Sequence, residues 1–533
     1  QVEVGMEHSG PRDCLPSLAL SAAMVVRVVS RIPATLPPND HPYRTGAWTP
    51  NHLELEASEL EVLEGAVPED LDGVYIRNTE NPVHDALDHR YHPFDGDGML
   101  HAVRFKRGTA AYRNRLVPTR GYLAEQEVGR ALWAGLAEDP RKSREPSRNG
   151  NVPGAQGSLK DSSSTDVVVH GGRALSLFYQ CGEAYAACPE TLEPLGTETF
   201  NGCFPADGIS AHAKVDERTG ELLFFNYSKV APFMHYGVVS SGRELVHYVP
   251  VPLPGPRLPH DMCFTEHYSI LCDFPLFWDP DLLPKGVHAT RFYPDIPSRF
   301  AVIPRYGSTE EIRWFEAEPT FVLHFLNAYE DGDEIVLDGY RQEDPMPDSE
   351  QPFIPPVPNR YRRMMVYLTM SAMKPRLWRW RFNLKTGRTS EECLHPQVGL
   401  EFGIFNQRYA GQAYRFAYSA VSRPGWFLFT GLVKHDLQTG EAEEISFGAE
   451  RYGSEAPFAP RLGATAEDDG YLVTFVTDMR KDQSECVLYD ARRLSAGPFC
   501  RLRLPHRISS GTHACWAGAE RLGCAGSMTT SRL

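Results

Sequence analysis

Four histidines begin the same local pattern: His212, His260, His324 and His513. Each is followed by a short apolar segment, then a polar or acidic turn, then a second strand-like run that starts about eight to ten residues later. Such a succession is typical of a β-hairpin. Four hairpins with a histidine at the same address indicate a repeat fold that directs these side chains to one point. Because imidazole binds iron, zinc, copper and nickel, the pattern predicts a metal on the axis of that fold.

The alternative is that these histidines are ordinary core or surface residues. The chain has 19 histidines, and four others crowd the segment 81–101 (NPVHDALDHRYHPFDGDGMLH). The gaps between the four selected histidines are far longer than in a compact metal motif such as HExxH. A metal-free propeller that acts as a binding scaffold therefore remains open at this level, and the shared hairpin position is what favours the metal.

Many short strands with regular turns must position these residues. The segments 216–221 (DERTGE), 383–388 (NLKTGR) and 436–441 (DLQTGE) each lie between apolar runs. Thr-Gly after Asp or Asn is typical of hairpin turns, because glycine supplies the positive φ. Recurring hairpins over 533 residues favour an all-β propeller over a sandwich. We expect residues 51–533 to form this propeller as a single domain.

Residues 1–50 are expected to be an N-terminal extension. Within them the apolar segment 15–29 is interrupted by Arg27 and is too short to cross a membrane as a helix. It predicts either an amphipathic helix that docks on a membrane surface or a leader without fixed structure.

Two stretches interrupt the strand pattern of the predicted domain. Residues 120–164 predict a helix followed by a Gly- and Ser-rich loop, and residues 342–362 predict a Pro-rich acidic loop. Long insertions on a repeat fold commonly lie on one face, so we expect these two to border the substrate entrance.

Charge and cysteine content narrow the class of protein. A formal net charge of -15 excludes a general nucleic-acid binder. The 11 cysteines are odd in number and contain no CxxC, which favours a reducing compartment over a disulfide framework. We therefore expect a cytoplasmic protein, peripheral to a membrane if the N-terminal segment docks there. The oligomeric state stays open.

Seven sequence blocks resemble those of the carotenoid cleavage oxygenases, a family that includes stilbene-cleaving enzymes and the retinoid isomerase. In chain order they are RNTENP at 77–82, FDGDGMLH at 94–101, SAHAKVDERTGE at 210–221, LPHDMCFTEHY at 258–268, VLHFLNAYE at 322–330, YGSEAPFAPR at 452–461 and GTHACW at 511–516. The resemblance covers nearly everything from Leu53 to Gly518. It implies a seven-bladed β-propeller whose helical and loop insertions form a cap over an axial Fe(2+), one per chain. Its metal ligands fall on the four histidines that the hairpin pattern selects.

The resemblance also assigns residues around the metal. Outer glutamates in this family orient the imidazoles through their second ring N–H. Two of the three fall on Glu401 and Glu455, and the third falls on Gln180, which accepts an N–H but adds no negative charge. The site is therefore expected to be more positive than in most relatives. Thr165 matches a threonine near the open iron position.

The activity that the resemblance implies is that of a non-haem iron dioxygenase, which uses O2 to cleave a carbon–carbon double bond of a carotenoid or apocarotenoid into two carbonyl products. The substrate would be a hydrophobic polyene, so peripheral membrane contact is expected. Two alternatives stay open on the same fold. One is cleavage of a stilbene or phenylpropenoid, although Tyr179 stands where stilbene cleavers carry a substrate-contacting lysine. The other is a retinoid-type isomerase. The candidates for the wall of the substrate tunnel are Phe94, Phe264, Phe325, Phe405 and Trp516.

Overall fold

Short strands joined by tight turns make up most of the computed structural model, which describes residues 24–38, 40–143, 157, 159–285, 289–346, 370–423 and 426–523. The first half contains β1 (Val26–Arg31), β2 (Leu53–Ala57), β3 (Glu61–Glu64), β4 (Gly73–Asn81), β5 (Asp97–Lys106), β6 (Thr109–Leu116), β7 (Asp166–His170), β8 (Arg173–Leu177), β9 (Tyr185–Ala187), β10 (Pro194–Thr197), β11 (Lys214–Asp216), β12 (Glu221–Tyr227), β13 (Met234–Val239) and β14 (Leu245–Pro250).

The second half continues the same pattern. Its strands are β15 (Cys263–Phe264), β16 (Tyr268–Asp273), β17 (Leu276–Trp278), β18 (Thr290–Phe292), β19 (Ser298–Pro304), β20 (Arg313–Ala317), β21 (Val322–Asp331), β22 (Glu334–Gln342), β23 (Pro375–Asn383), β24 (Thr389–His395), β25 (Leu400–Ile404), β26 (Phe416–Ser422), β27 (Phe429–Asp436), β28 (Ala442–Ser446), β29 (Arg451–Tyr452), β30 (Phe458–Pro460), β31 (Gly470–Asp478), β32 (Gln483–Asp490), β33 (Pro498–Arg503) and β34 (Ala514–Gly518).

Helices are few among the residues that the structure describes. The α-helices there are α1 (Arg120–Val128) and α2 (Met370–Met373). Single 3-10 turns lie at Pro42–Arg44, Gly46–Trp48, Pro93–Asp95, Pro140–Lys142, Leu283–Lys285, Thr309–Glu311, Gln407–Tyr409, Leu494–Ala496 and Ala519–Arg521. In the part of the chain that the structure describes, none of these helices combines the length and the apolar character that a membrane crossing needs.

Seven antiparallel sheets of four or more strands form the blades of a propeller, which confirms the predicted fold class. The strand orders that follow run from the axis outward. Blade 1 is β34-β4-β5-β6-β2-β1, blade 2 is β7-β8-β9-β10, blade 3 is β11-β12-β13-β14 and blade 4 is β15-β16-β19-β20. Blade 5 is β21-β22-β23-β24, blade 6 is β25-β26-β27-β28, and blade 7 is β29-β31-β32-β33-β3, with β30 also paired to β31. The three Thr-Gly turns close β11–β12, β23–β24 and β27–β28 as predicted, with Gly220, Gly387 and Gly440 at positive φ.

Both ends of the chain close the ring. Strand β34 pairs with β4 from Ala514 opposite Arg77 to Gly518 opposite Gly73. Strand β3 pairs with β33, so that an N-terminal strand completes the last blade. The hairpin predicted after His513 is therefore wrong, because β4 is buried along its whole length and takes β34 as the partner on its inner edge.

Part of the predicted N-terminal extension packs on the propeller. Strand β1 pairs with β2, so Val26–Arg31 form a strand, which differs from both alternatives predicted for 15–29, an amphipathic helix and a leader without fixed structure; residues 15–23 lie outside the described residues. The β-branched valines of this segment favour a strand. Farther on, Tyr43 is fully buried and Trp48 is 2% exposed, and both pack in a cluster with Phe427.

The predicted helix of the first insertion is shorter than the apolar pattern indicated. It ends at Val128, because Gly129 takes the left-handed conformation and its N–H bonds to Glu125 O. The segment that follows is tied to the loop of blade 1, where Asp95 Oδ1 accepts a hydrogen bond from Leu136 N at 2.9 Å. Residues 144–156 and 158 of the first insertion, and residues 347–362 of the Pro-rich loop, lie outside the described residues.

We expect Trp48→Ala to lower the free energy of unfolding by about 3–5 kcal/mol, because it removes a buried indole and leaves a cavity. The measurement is the shift in the midpoint of urea unfolding. The control is Leu195→Ala at a position that is 45% exposed, where a surface substitution changes stability by about 0.5 kcal/mol or less. Equal shifts in the two variants would show that the N-terminal segment is not part of the folded unit.

Candidate metal centre

Four of the innermost strands carry the selected histidines to the axis. His212 lies two residues before β11 of blade 3, and His324 lies within β21 of blade 5. His260 lies shortly before β15 of blade 4, and His513 directly precedes β34 of blade 1. The common position that the sequence predicts for the four histidines is thus the axial end of an innermost strand.

The four imidazoles converge. The ring centroids of His212 and His513 are 4.5 Å apart, and those of His324 and His513 are 4.7 Å apart. His260 lies at the edge of this group, with centroids 4.8 Å from His212 and 5.3 Å from His324. One ring nitrogen each of His212, His324 and His513 falls within 4.8 Å of the other two. The Nε2 atoms of His212 and His260 are 3.2 Å apart, so all four rings face one small volume.

The backbone is strained at this point. His212 has a φ of 60°, in the left-handed region that side chains other than glycine rarely adopt. Phe402, which follows Glu401 directly, has a φ of 52°. Such conformations cost about 1–3 kcal/mol each and persist where the surrounding packing enforces them. These strained conformations lower the stability of the fold, and they direct the side chains of His212 and Glu401 toward the axis.

Both predicted glutamates contact a histidine. Glu401 Oε2 lies 2.6 Å from Nδ1 of His324, and Glu455 Oε1 lies 3.4 Å from Nδ1 of His513. Backbone N–H groups hold the carboxylates, from Phe402 to Glu401 Oε2 at 3.2 Å and from Ala514 to Glu455 Oε2 at 2.6 Å. These two imidazoles therefore present Nε2 to the axis.

Gln180 makes no hydrogen bond to a histidine within the described residues, contrary to the sequence-based expectation. It is buried, its Nε2 donates to Tyr179 Oη at 2.8 Å, and its Oε1 has no hydrogen-bond partner among the described residues. The nearby Glu183 is also turned away, since it pairs with Arg120 and accepts from Tyr185 Oη. The strand β8 ends at Leu177, so Gln180 lies in the segment after the strand, where its side chain points to Tyr179.

Asp166 takes a position that the sequence reasoning missed. Its Oδ2 lies 3.1 Å from Nδ1 of His212. It opens β7, the innermost strand of blade 2, directly after Thr165. The sequence does indicate this position, because Asp166 comes just before the apolar run VVV. In other blades a histidine stands at the corresponding position before the innermost strand.

The imidazoles are neutral near neutral pH. Burial lowers the pKa of His324 to about 3 and that of His513 to about 4, and it holds the pKa values of His212 and His260 well below the usual range. Burial also raises the pKa of Glu455 to about 7 and that of Glu401 well above its ordinary value.

The donor set fits a divalent metal ion. Nε2 of His324 is buried without a hydrogen-bond partner among the described residues. The Nδ1 atoms of three rings are engaged by carboxylates, so their Nε2 lone pairs face the volume that the rings share, where a metal ion can bind. Four neutral imidazoles suit borderline metals such as Fe(2+), Co(2+) and Zn(2+).

A small cavity of about 60 Å³ borders the histidines on one side. Its walls are mostly aromatic and are formed by Phe94, Thr165, Tyr179, His260, Leu323, His324, Phe402, Phe427, Thr512 and His513. Thr165 thus lines the same cavity as three of the histidines, and its hydroxyl oxygen accepts a hydrogen bond from Tyr179 N at 3.2 Å.

A second cavity, of about 180 Å³, borders the histidines with a more polar wall that includes Lys214, Glu217 and Asp261. Four of the aromatic residues that were predicted for the tunnel line this second cavity and not the first: Phe264, Phe325, Phe405 and Trp516. Phe94 is the one that lines the aromatic cavity.

Known proteins resemble this chain over most of its length. Residues 48–518 match the family model described as retinal pigment epithelial membrane protein. A carotenoid 9,10(9',10')-cleavage dioxygenase of Arabidopsis thaliana is 32% identical over 509 residues, which cover 90% of each chain. Isoeugenol monooxygenase of Pseudomonas putida is 29% identical over 91% of this chain and 99% of its own. The crystal structure of Pseudomonas brassicacearum lignostilbene dioxygenase superposes with a TM-score of 0.78 at 28% identity, and covers 91% of this chain and 100% of its own.

We expect Co(2+), added without oxygen to the metal-free protein, to raise the free energy of unfolding by about 2.7 kcal/mol when the ion is present at about 100 times its Kd. The measurement is the thermal midpoint with and without the ion. His324→Ala should remove most of this gain, because it deletes a buried nitrogen that has no other partner. The control is His247→Ala, whose Nε2 bonds to Gly307 O far out on blade 3. Equal gains in both variants would place the ion elsewhere.

Proposed function

Because this chain belongs to the retinal pigment epithelial membrane protein family, that of the carotenoid cleavage oxygenases, we propose that it is a non-haem iron dioxygenase that cleaves a double bond of a carotenoid or apocarotenoid with O2. The observation that carries the proposal is the convergence of four neutral imidazoles beside an aromatic cavity. Both oxygen atoms of O2 would enter the products, one in each new carbonyl group.

The residues that would hold the iron are His212, His260, His324 and His513. When bound, ferrous iron would supply the activation of O2 that the cleavage of an alkene requires. The protein would set the direction of the ligands: Glu401 and Glu455 would accept hydrogen bonds from the Nδ1–H groups of His324 and His513, which leaves the Nε2 lone pairs facing inward.

The aromatic cavity would hold the alkene next to these nitrogens. Phe94 and Phe402 each pack edge to face against Phe427, with ring centroids 5.8 Å and 5.9 Å from that of Phe427. Such walls bind an unsaturated hydrocarbon through apolar and π contacts and exclude water. Because three of the four histidines line the same cavity, a double bond held there lies against the proposed metal site.

One observation supports a second candidate, the cleavage of a stilbene or phenylpropenoid. Tyr179, which carries a phenolic hydroxyl group, lines the mostly aromatic cavity. This oxygen accepts a hydrogen bond from Gln180 Nε2 at 2.8 Å, so its own proton is free to be donated to a substrate. A phenolic substrate offers an acceptor for that proton, whereas a hydrocarbon polyene does not. The similarity to isoeugenol monooxygenase and lignostilbene dioxygenase supports the same candidate.

We expect the iron-loaded protein, incubated in air with an apocarotenoid aldehyde, a full-length carotenoid, isoeugenol and resveratrol, to release carbonyl products from one substrate class. Mass analysis of the products measures this. His260→Ala should lose turnover because a metal ligand is gone, while His247→Ala retains it. A change of double-bond geometry without carbonyl products would indicate a retinoid-type isomerase and contradict the proposal.

We expect Tyr179→Phe to separate the two substrate classes. A lost hydrogen bond of about 1 kcal/mol lowers kcat/KM for a phenolic substrate about fivefold. Cleavage of a hydrocarbon carotenoid should be nearly unchanged, because the ring that lines the cavity remains. Steady-state kinetics on both substrates measure the difference, and an equal loss on both would show that the hydroxyl does not contact the substrate.

A further inference from the structure

Three of the four imidazoles have a carboxylate at Nδ1, and the third carboxylate comes from a position where none was expected. We propose that Asp166 is a positioning residue for the metal centre, which holds His212 as Glu401 holds His324 and Glu455 holds His513. This inference rests on the proposed function, because it assumes that the four histidines bind a metal ion.

The contact is built into two inner strands. Asp166 opens β7 of blade 2, and His212 precedes β11 of the adjacent blade 3. Asp166 Oδ2 lies 3.1 Å from Nδ1 of His212, and its Oδ1 accepts a hydrogen bond from Val167 N at 2.7 Å. The second bond fixes the orientation of a side chain that is only 12% exposed. The Asp166 carboxylate makes no other side-chain hydrogen bond within the described residues, so its partner beyond its own strand is His212.

The order of the blades explains why this histidine receives the carboxylate. Glu401 belongs to blade 6 and contacts His324 of blade 5; Glu455 belongs to blade 7 and contacts His513 of blade 1. In both pairs the carboxylate comes from the neighbouring blade. Asp166 of blade 2 stands in the same relation to His212 of blade 3.

Among the described residues, His260 is the one of the four histidines without a carboxylate at Nδ1 from a neighbouring blade, and the order of the blades explains this too. It belongs to blade 4, whose neighbours, blades 3 and 5, carry His212 and His324 at the axis. No neighbouring blade has an axial position left for a carboxylate. Gln180, the expected support, bonds to Tyr179 and not to a histidine. The seven blades thus contribute four histidines and three carboxylates, one group each.

The consequence for the metal is chemical. An imidazole that donates Nδ1–H to a carboxylate is a stronger ligand at Nε2, and its ring is fixed in one tautomer and orientation. His212 would therefore be a supported ligand and His260 the unsupported one. The negative charge that a glutamine at position 180 fails to supply is supplied by Asp166, so the centre carries three outer carboxylates and not two.

The test compares the metal affinity of the full-length protein with that of Asp166→Asn, which keeps the shape of the side chain, and of Asp166→Ala. Affinity for Co(2+) is measured without oxygen by competition with a chromophoric chelator, and the visible absorption of bound Co(2+) reports the ligand field. Loss of an outer partner typically weakens metal binding about 10–100-fold, and we expect a loss of this size in Asp166→Asn and a larger one in Asp166→Ala.

Glu183→Gln is the matched control, because Glu183 is a buried carboxylate of blade 2 that pairs with Arg120 and accepts a hydrogen bond from Tyr185, and it has no histidine partner in the part of the chain that the structure describes. It should keep the affinity and the spectrum of the unchanged protein. Thermal unfolding of the metal-free proteins separates a positioning role from a structural one: the midpoint of Asp166→Asn should match that of the unchanged protein.

Two results would overturn the inference. One is an affinity and a spectrum in Asp166→Asn equal to those of the unchanged protein. The other is a loss of affinity that Glu183→Gln shares. Failure of the unchanged protein to bind one Co(2+) per chain would instead refute the metal centre itself, and with it the proposed function.

Discussion

The arrangement of this protein depends on one constraint: four uncharged imidazoles must face the same small volume with their lone pairs inward. Imidazole rings do not attract one another in this way, and His212 reaches its place only through a left-handed backbone conformation. The packing of the closed propeller holds the four rings together. Each ring is fixed by the inner strand of its blade, and His513 depends on both ends of the chain, because β34 is held by β4.

The surroundings of the histidines divide into two kinds. Carboxylates from Asp166, Glu401 and Glu455 lie behind three rings and set their tautomers. In front lies an aromatic cavity, in which the hydroxyl group of Tyr179 is a polar group that a substrate can contact. The N-terminal segment supports this cavity from outside, because Tyr43 Oη accepts a hydrogen bond from Phe427 N and Trp48 packs beside Phe427. Phe427 therefore both lines the cavity and packs against the N-terminal segment that stabilises the fold.

Local patterns in the sequence predicted the fold class, three of the four histidine hairpins and the convergence of all four histidines. They failed where the partner is distant in sequence. Nothing near His513 indicates that the following strand pairs with β4, which lies at the other end of the chain. The resemblance located Glu401 and Glu455 beside histidines, but it also placed Gln180 behind an imidazole, and the direction of a side chain beyond the end of β8 does not follow from a matched position in the sequence. The contact of Asp166 with His212 depends on which blades are neighbours, which only the closed ring defines.

The central claim is that the four histidines are the complete protein ligand set of one iron ion. X-ray absorption spectroscopy of the protein, loaded with ferrous iron in the absence of oxygen, tests it most directly. The account predicts one iron per chain with a first shell of four imidazole nitrogens and with any further ligand being a light atom such as a solvent oxygen. Iron below one per chain after loading, a sulfur ligand, or fewer than four imidazoles in the shell would contradict it.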